Sequence, residues 1–385
     1  MEKKYVVAIM DCNSYDFEKV KNKINEGVSI LGGWEKFIRK NSTVLLKPNM
    51  IGPKKPEEAA TTHPVILQAV IRILRELECT VWIGDSSGGA LGGNSPTKQS
   101  FEVTGFLDVA GAEEAKLKNF DTEGAVKIVP ESGLADEMYI AKPLFEAEYI
   151  INLPKLKTHV AALYTGAVKN MFGCIPGLKK AEYHKIGAKP DDFANIIVDI
   201  NKAVNINLNI MDAIVAMDGD GPTGGSPYEM HKILISDDSM AMDIVATNII
   251  NLDVNDVPIL KAGIKRKLGC ENVSQIEIKG DYNSIPKVEN FRIPRTKMRL
   301  SGSKAAGLII PLVLDFIKTK PVINANKCKQ CNMCVNSCPV RAIDKESKKI
   351  DYNKCIECMC CHELCLYHAV ELRKNNKLAG IICDE

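Results

Sequence analysis

An α/β fold, with a mostly parallel sheet and flanking helices, is what the sequence predicts for residues 1–300, and a small cysteine-rich module follows it. Three observations lead there. Short β-rich runs alternate with helical patterns, an order that sets parallel strands side by side beneath covering helices. Residues with unusual chemistry fall just past the ends of the strand-like runs. Nine of the fourteen cysteines crowd into 328–365, a density that implies metal thiolate chemistry in a reducing compartment rather than a disulfide framework.

The elements follow in order. "YVVAIM" opens the chain as a strand, and "TVLLKPN" supplies the second. Residues 64–78 carry a helical pattern with Pro64 in its first turn. "TVWIGDSS", "YIINLPK", "LNIMDAIVAMDG" and "HKILIS" read as further strands, with a helix over 191–205 between the middle two. Residues 283–299, rich in Pro, Lys and Arg, read as an extended linker. "AAGLIIPLVLDFI", residues 305–317, contains Pro311 and Asp315 and falls short of the roughly 20 residues of a membrane span. It reads as a docking helix. The expected division is therefore an α/β ligand-binding domain at 1–300, a linker helix at 301–320 and the cysteine-rich domain at 321–385.

Composition narrows the function. A formal charge of +2 with no long basic stripe argues against nucleic-acid binding. The apolar run in "MEKKYVVAIM" lasts six residues before Asp11, too short for a signal-peptide core, so a cytoplasmic location is expected.

One stretch departs from this balance. "INLPKLKTHVAALYTGAVKNMFG", residues 151–173, is apolar enough for a core yet holds Lys155, Lys157, His159 and Lys169, and no Asp or Glu occurs from Tyr149 to Ala181. Lys155 and Lys157, two apart on an extended strand end, point to one face. A helix is expected from an N-cap at Thr158, its dipole adding to the positive field. In an open α/β sheet, the carboxyl ends of the strands line one crevice where ligands bind. Lys47 and Asn49, Asp85, the lysine stretch with Asn170, and "MDGDGPTGG" with Asp218 all sit at such ends. The expected ligand is an anion: a carboxylate, a phosphate or a flavin phosphate. His159 and Asp218 are the candidates for moving protons.

The cysteines carry a doubled motif. "KCKQCNMCVNSCPVRAI" and "KCIECMCCHELCLYHAV" both read C-x2-C-x2-C-x3-C, the second 27 residues after the first. The pattern resembles the bacterial two-cluster ferredoxin, in which three cysteines wrap one cubane and the fourth crosses to the other. That resemblance implies one 4Fe–4S cluster on Cys328, Cys331, Cys334 and Cys365. It implies a second on Cys355, Cys358, Cys361 and Cys338, in a small α+β ferredoxin-like two-cluster domain. Zinc ribbons separate two C-x2-C pairs by a longer spacer and fit poorly. Leu366 stands where the pattern has proline after the fourth cysteine, and Cys360 is a ninth cysteine with no expected ligand role.

Together "LLKPNM", "IINLPKLKTHVAALYTGAVKNMFG", "MDGDGPTGG" and "CIECMCCHELC" resemble domain-of-unknown-function family 362, often fused to a two-cluster ferredoxin module. The resemblance implies architecture and clusters rather than a substrate. Two functions are open. One is an anaerobic oxidoreductase, fed by a ferredoxin- or flavodoxin-type redox partner, that reduces or oxidises an anionic small molecule, or uses a flavin or other anionic organic cofactor, in the basic crevice. The alternative is a non-catalytic electron carrier or metallocofactor-assembly partner whose lysines attract an acidic protein.

Overall fold

The computed structural model describes residues 4–88, 96–294 and 319–374. Its first four strands are β1 (Tyr5–Asp11), β2 (Thr43–Pro48), β3 (Thr80–Asp85) and β4 (Lys116–Asn119). A separate two-stranded ladder, β5 (Ala125–Ile128) and β6 (Met138–Ala141), comes next. Then follow β7 (Tyr149–Leu153), β8 (Lys155–His159), β9 (Leu163–Thr165), β10 (Leu208–Asp218), β11 (Ser226–Ser236) and β12 (Ile276–Gly280). Ten of these strands form one sheet in the order β12-β1-β11-β10-β7-β2-β3-β4, with β8 paired to β10 and β9 to β8.

Strands β10, β7, β2, β3 and β4 run parallel, whereas β11 runs against both its neighbours. This is the mixed, mostly parallel sheet with flanking helices that the alternation predicts. The central strands are apolar throughout because both faces are covered. Along β2, Val44 and Leu46 enter one core while Leu45 enters the other, as the period of two requires. Each such aliphatic side chain contributes roughly 1.5–3 kcal/mol by leaving water.

Helix Pro64–Glu76 shows how local sequence sets an element. Pro64 occupies its first turn, and the His63 side chain caps it by accepting from the Val65 N–H at 3.2 Å. Ile66, Leu67, Val70, Ile71, Ile73 and Leu74 then bury one face against the β2 side of the sheet.

The helix expected from Thr158 is absent: Lys155–His159 is a strand and forms a hairpin with Leu163–Thr165. The reason is tertiary. Strand β10 is eleven residues long; it pairs with β7 through Leu208 and Asn209, then offers its far half to β8 at Asp212 and Met217. Helical structure resumes only over Ala167–Asn170, where the Asp243 carboxylate accepts from the Ala167 and Val168 N–H groups at 2.7 and 3.0 Å.

In the cysteine-rich part, β13 (Thr319–Ile323) and β14 (Val370–Lys374) pair antiparallel, flanking two short helices, Met333–Asn336 and Cys360–Glu363. The linker helix expected at 301–320 lies outside the described residues except for Thr319 and Lys320, which begin β13. Among the described residues no helix is long and apolar enough to cross a membrane.

Candidate functional site

Because β2, β3, β7 and β10 run the same way, their carboxyl ends share one edge of the sheet. A cleft of about 100 Å³ opens there, lined among others by Lys47, Asn49, Asp85, Lys157, Lys169 and Asn170. The opposite wall comes from the cysteine-rich part, through Ser337, Cys360, Glu363 and Leu364. Residues separated by three hundred positions therefore face one another across it.

The lysines divide by partner. Lys47 is wholly buried and its ammonium stands 2.9 Å from Asp85. Burial pushes the Asp85 carboxyl up, opposed by Lys47 and Lys180. Gly173 packs so closely on this pair that a Cβ there would collide with Asp85 Oδ1 and Lys47 Nζ. Lys157 donates to the Ala60 carbonyl at 2.6 Å, and burial together with Lys169 drives its pKa well below the ordinary lysine range. Lys169 has no hydrogen-bond partner among the described residues; burial lowers its pKa while Glu363 raises it. Lys180, on the helix Gly177–Ile186, donates to the Ser86 carbonyl and hydroxyl, and burial brings it down to about 8.

Lys155 does not reach the cleft. It is committed to Asp212 at 2.8 Å and to the Tyr15 hydroxyl at 3.0 Å, and Tyr15 stacks on His63. Asp218 does not line the cleft either. Both its oxygens receive the Arg292 guanidinium, at 2.9 and 2.6 Å, so the stretch expected as linker ties down the "MDGDGPTGG" turn. Gly221 in that turn lies against the Thr158 carbonyl too closely for any Cβ.

His159 sits beside the cleft. Its Nδ1 accepts from the Ala161 and Ala162 N–H groups, and its Nε2 lies 3.2 Å from Glu363. Burial lowers its pKa to about 4, and because Nδ1 accepts, the neutral ring carries its proton on Nε2, which donates to the carboxylate. Burial would push Glu363 up, but His159 and Lys169 hold it at about 2. A Thr223 hydroxyl donating to the Glu363 carbonyl at 3.1 Å adds to this contact between the two parts of the chain.

The fit of the cysteines to iron–sulfur clusters can be read from their packing. Cys338, Cys355, Cys358 and Cys361 all line one small cavity, which matches the second expected ligand set. Burial pushes the Cys334 thiol up to about 11, with Cys365, Cys331 and Cys328 as its acidic neighbours, the first expected set. The donors are thiols, the ligands such clusters take, and all eight are free. Among the described residues no three Cys, His, Asp or Glu side chains converge on one point as a single metal ion requires.

An α/β domain joined to a doubled cysteine cradle defines an iron–sulfur protein, with a cleft between the two parts. The chain belongs to the family described as "Domain of unknown function (DUF362)", whose model matches residues 44–248, and a "4Fe-4S dicluster domain" matches 320–366. The thylakoid-associated protein sll1697 of Synechocystis sp. is 29% identical over 296 residues, covering 76% of this chain and 88% of its own. Among solved structures, the lactate racemase apoprotein of Thermoanaerobacterium thermosaccharolyticum is 12% identical with a TM-score of 0.40. That match covers 67% of this chain and 58% of the racemase chain. A Thermotoga maritima protein is 14% identical with a TM-score of 0.37, covering 70% and 61%.

Sequence reasoning missed Glu363, Lys180, His184 and Cys360 as cleft residues. Lys180 was within reach, being the last lysine of the acid-free stretch. Glu363 and Cys360 lie inside the ligand motif, and nothing in that motif signals that a neighbour of Cys361 enters another domain's crevice. The burial of Lys47, Lys155 and Lys157, each at most 1% exposed, removes them from any surface that could attract an acidic protein.

Proposed function

We propose that this chain is an oxidoreductase that takes electrons from a ferredoxin- or flavodoxin-type partner and exchanges them, through two 4Fe–4S clusters, with an anionic small molecule or anionic organic cofactor in the cleft. The observation that carries this reading is the placement of Cys360 and Glu363. These residues bracket the cluster ligand Cys361 and line the same cleft as Lys157 and Lys169.

When bound, the clusters supply single electrons; the rest falls to side chains. Lys157 and Lys169 hold the negative group, and the ion pair of Lys47 and Asp85 shapes the floor. Lys180, with its pKa brought down to about 8, is suited to hand over a proton near neutral pH. His159, donating to Glu363 at 3.2 Å, holds that carboxylate against its own ring.

The test is mass analysis of small molecules released from anaerobically purified protein. Wild-type chain releases an anionic compound, whereas Lys169→Gln with full iron content releases little or none. Equal release from both proteins would defeat the reading.

A further inference from the structure

The hydrogen-bond polarity of the cleft points to a ligand class: we infer that the anion held there also carries a hydroxyl or amino donor, received by Asn49 Oδ1. This rests on the reading of the cleft as an anion site and goes one step deeper into it.

Four buried asparagines form a chain that ends at the cleft. Asn209 donates through Nδ2 to the Ser236 carbonyl at 3.3 Å, and its Oδ1 accepts from Asn152 Nδ2 at 2.9 Å. Asn152 Nδ2 also donates to the Ala167 carbonyl at 3.1 Å, while its Oδ1 accepts from Asn170 Nδ2 at 2.7 Å. Asn170 Nδ2 donates as well to the Lys47 carbonyl at 3.1 Å, and its Oδ1 accepts from Asn49 Nδ2 at 2.8 Å.

An asparagine amide can be oriented only by its partners. A backbone carbonyl can only accept, so Ser236, Ala167 and Lys47 each compel the NH2 group of one asparagine to face them. Turning any one amide over would set oxygen against oxygen. The polarity therefore runs unbroken to Asn49, whose NH2 must face Asn170. Asn49 Oδ1 has no hydrogen-bond partner, in a residue 8% exposed that lines the cleft. Thr165, also lining the cleft and 2% exposed, has an unpartnered hydroxyl.

A buried acceptor left bare is unfavourable, and a site made to receive a donor discriminates against the analogue that lacks it. A simple carboxylate brings only acceptors: its oxygens suit Lys169 and leave Asn49 unsatisfied. An anion bearing a hydroxyl or amino group on the neighbouring carbon satisfies both. Asn49 is thus the specificity residue, and Asn170, Asn152 and Asn209 are positioning residues that act through it.

Glycolate and acetate, which differ by one hydroxyl, are the probes, titrated calorimetrically into anaerobically purified full-length protein with its clusters. Wild-type protein binds glycolate at least about tenfold more tightly than acetate. Asn49→Leu brings that ratio close to one. Asn170→Leu, which frees the Asn49 amide to rotate, lowers the ratio. Lys169→Gln weakens both probes and keeps the ratio. Equal binding of the two probes to wild-type protein overturns the donor requirement and leaves the anion site standing, a result that needs no variant to fold. A joint loss of both probes in Asn170→Leu overturns the positioning role. Binding of neither probe to wild-type protein overturns the anion site, and this inference with it.

Discussion

Replacing Lys155 and Lys169 by methionine, one at a time, separates a structural lysine from a functional one by the sign of the stability change. Lys155 and Asp212 are 1% and 0% exposed and stand 2.8 Å apart. Removing one partner of such a pair leaves a buried charge uncompensated, at a cost of about 3–5 kcal/mol. Asp212 would keep the Tyr15 hydroxyl at 2.8 Å and the His63 N–H at 2.9 Å. Those donors place Lys155→Met near the lower end, about 3 kcal/mol. The double variant Lys155→Met/Asp212→Leu removes both charges and recovers much of that loss, since an apolar pair of similar volume can replace a buried ion pair without net cost. The Lys169 ammonium has no hydrogen-bonded partner among the described residues, and its electrostatic support comes from Glu363 and Cys360. Lys169→Met leaves the ligand-free protein unchanged or up to about 1 kcal/mol more stable, the usual sign for a residue kept for binding. Urea unfolding of anaerobic protein, followed by tryptophan fluorescence, measures all three. A neutral Lys155→Met beside a Lys169→Met that loses 3 kcal/mol or more would refute the division of the lysines drawn above.

Cys361→Ala lowers iron content and the visible absorption of anaerobically purified protein, whereas Cys360→Ala, which alters a cleft residue outside the ligand set, leaves iron unchanged; equal losses in the two would contradict the assignment. The pKa of Lys180, at about 8 in the native chain against an ordinary 10.5, predicts a pH effect. The unfolded chain holds the extra proton between those values, so the contribution is present above pH 10.5 and is lost as pH falls through about 8. The stability gap between wild type and Lys180→Met must therefore change between pH 7.5 and pH 10, and a gap that stays constant rejects the shifted lysine. Asp218→Asn cuts the contact with Arg292, whose side chain is 63% exposed. It costs at most about 1 kcal/mol and leaves glycolate and acetate affinities within about twofold of wild type; a large loss of binding would return Asp218 to the site.

Much of this was legible in the chain. The strand runs "TVLLKPN", "TVWIGDSS" and "YIINLPK" became β2, β3 and β7 because continuous apolar runs suit strands covered on both faces. Their following residues, Lys47, Asn49 and Asp85, meet in one cleft because parallel strands end on one edge. Lys155 and Lys157 were read as extended, as they are, but the stretch from Thr158 was misread. Thr158 suits a helix N-cap, yet the free edge of a long β10 keeps the chain extended through His159, a tertiary override of local propensity.

What the sequence determined by itself is the chemistry available: eight thiols in a repeated spacing, and a run of lysines with no acid nearby. Local covalent spacing dictates both. Which lysines remain free was decided only by tertiary structure, because the neutralising carboxylates of Asp85 and Asp212 arrive from 38 and 57 residues away. Electrostatic energy depends on distance in space, about 3 Å for these ion pairs, and the order of residues along a chain does not contain that distance until the sheet has formed.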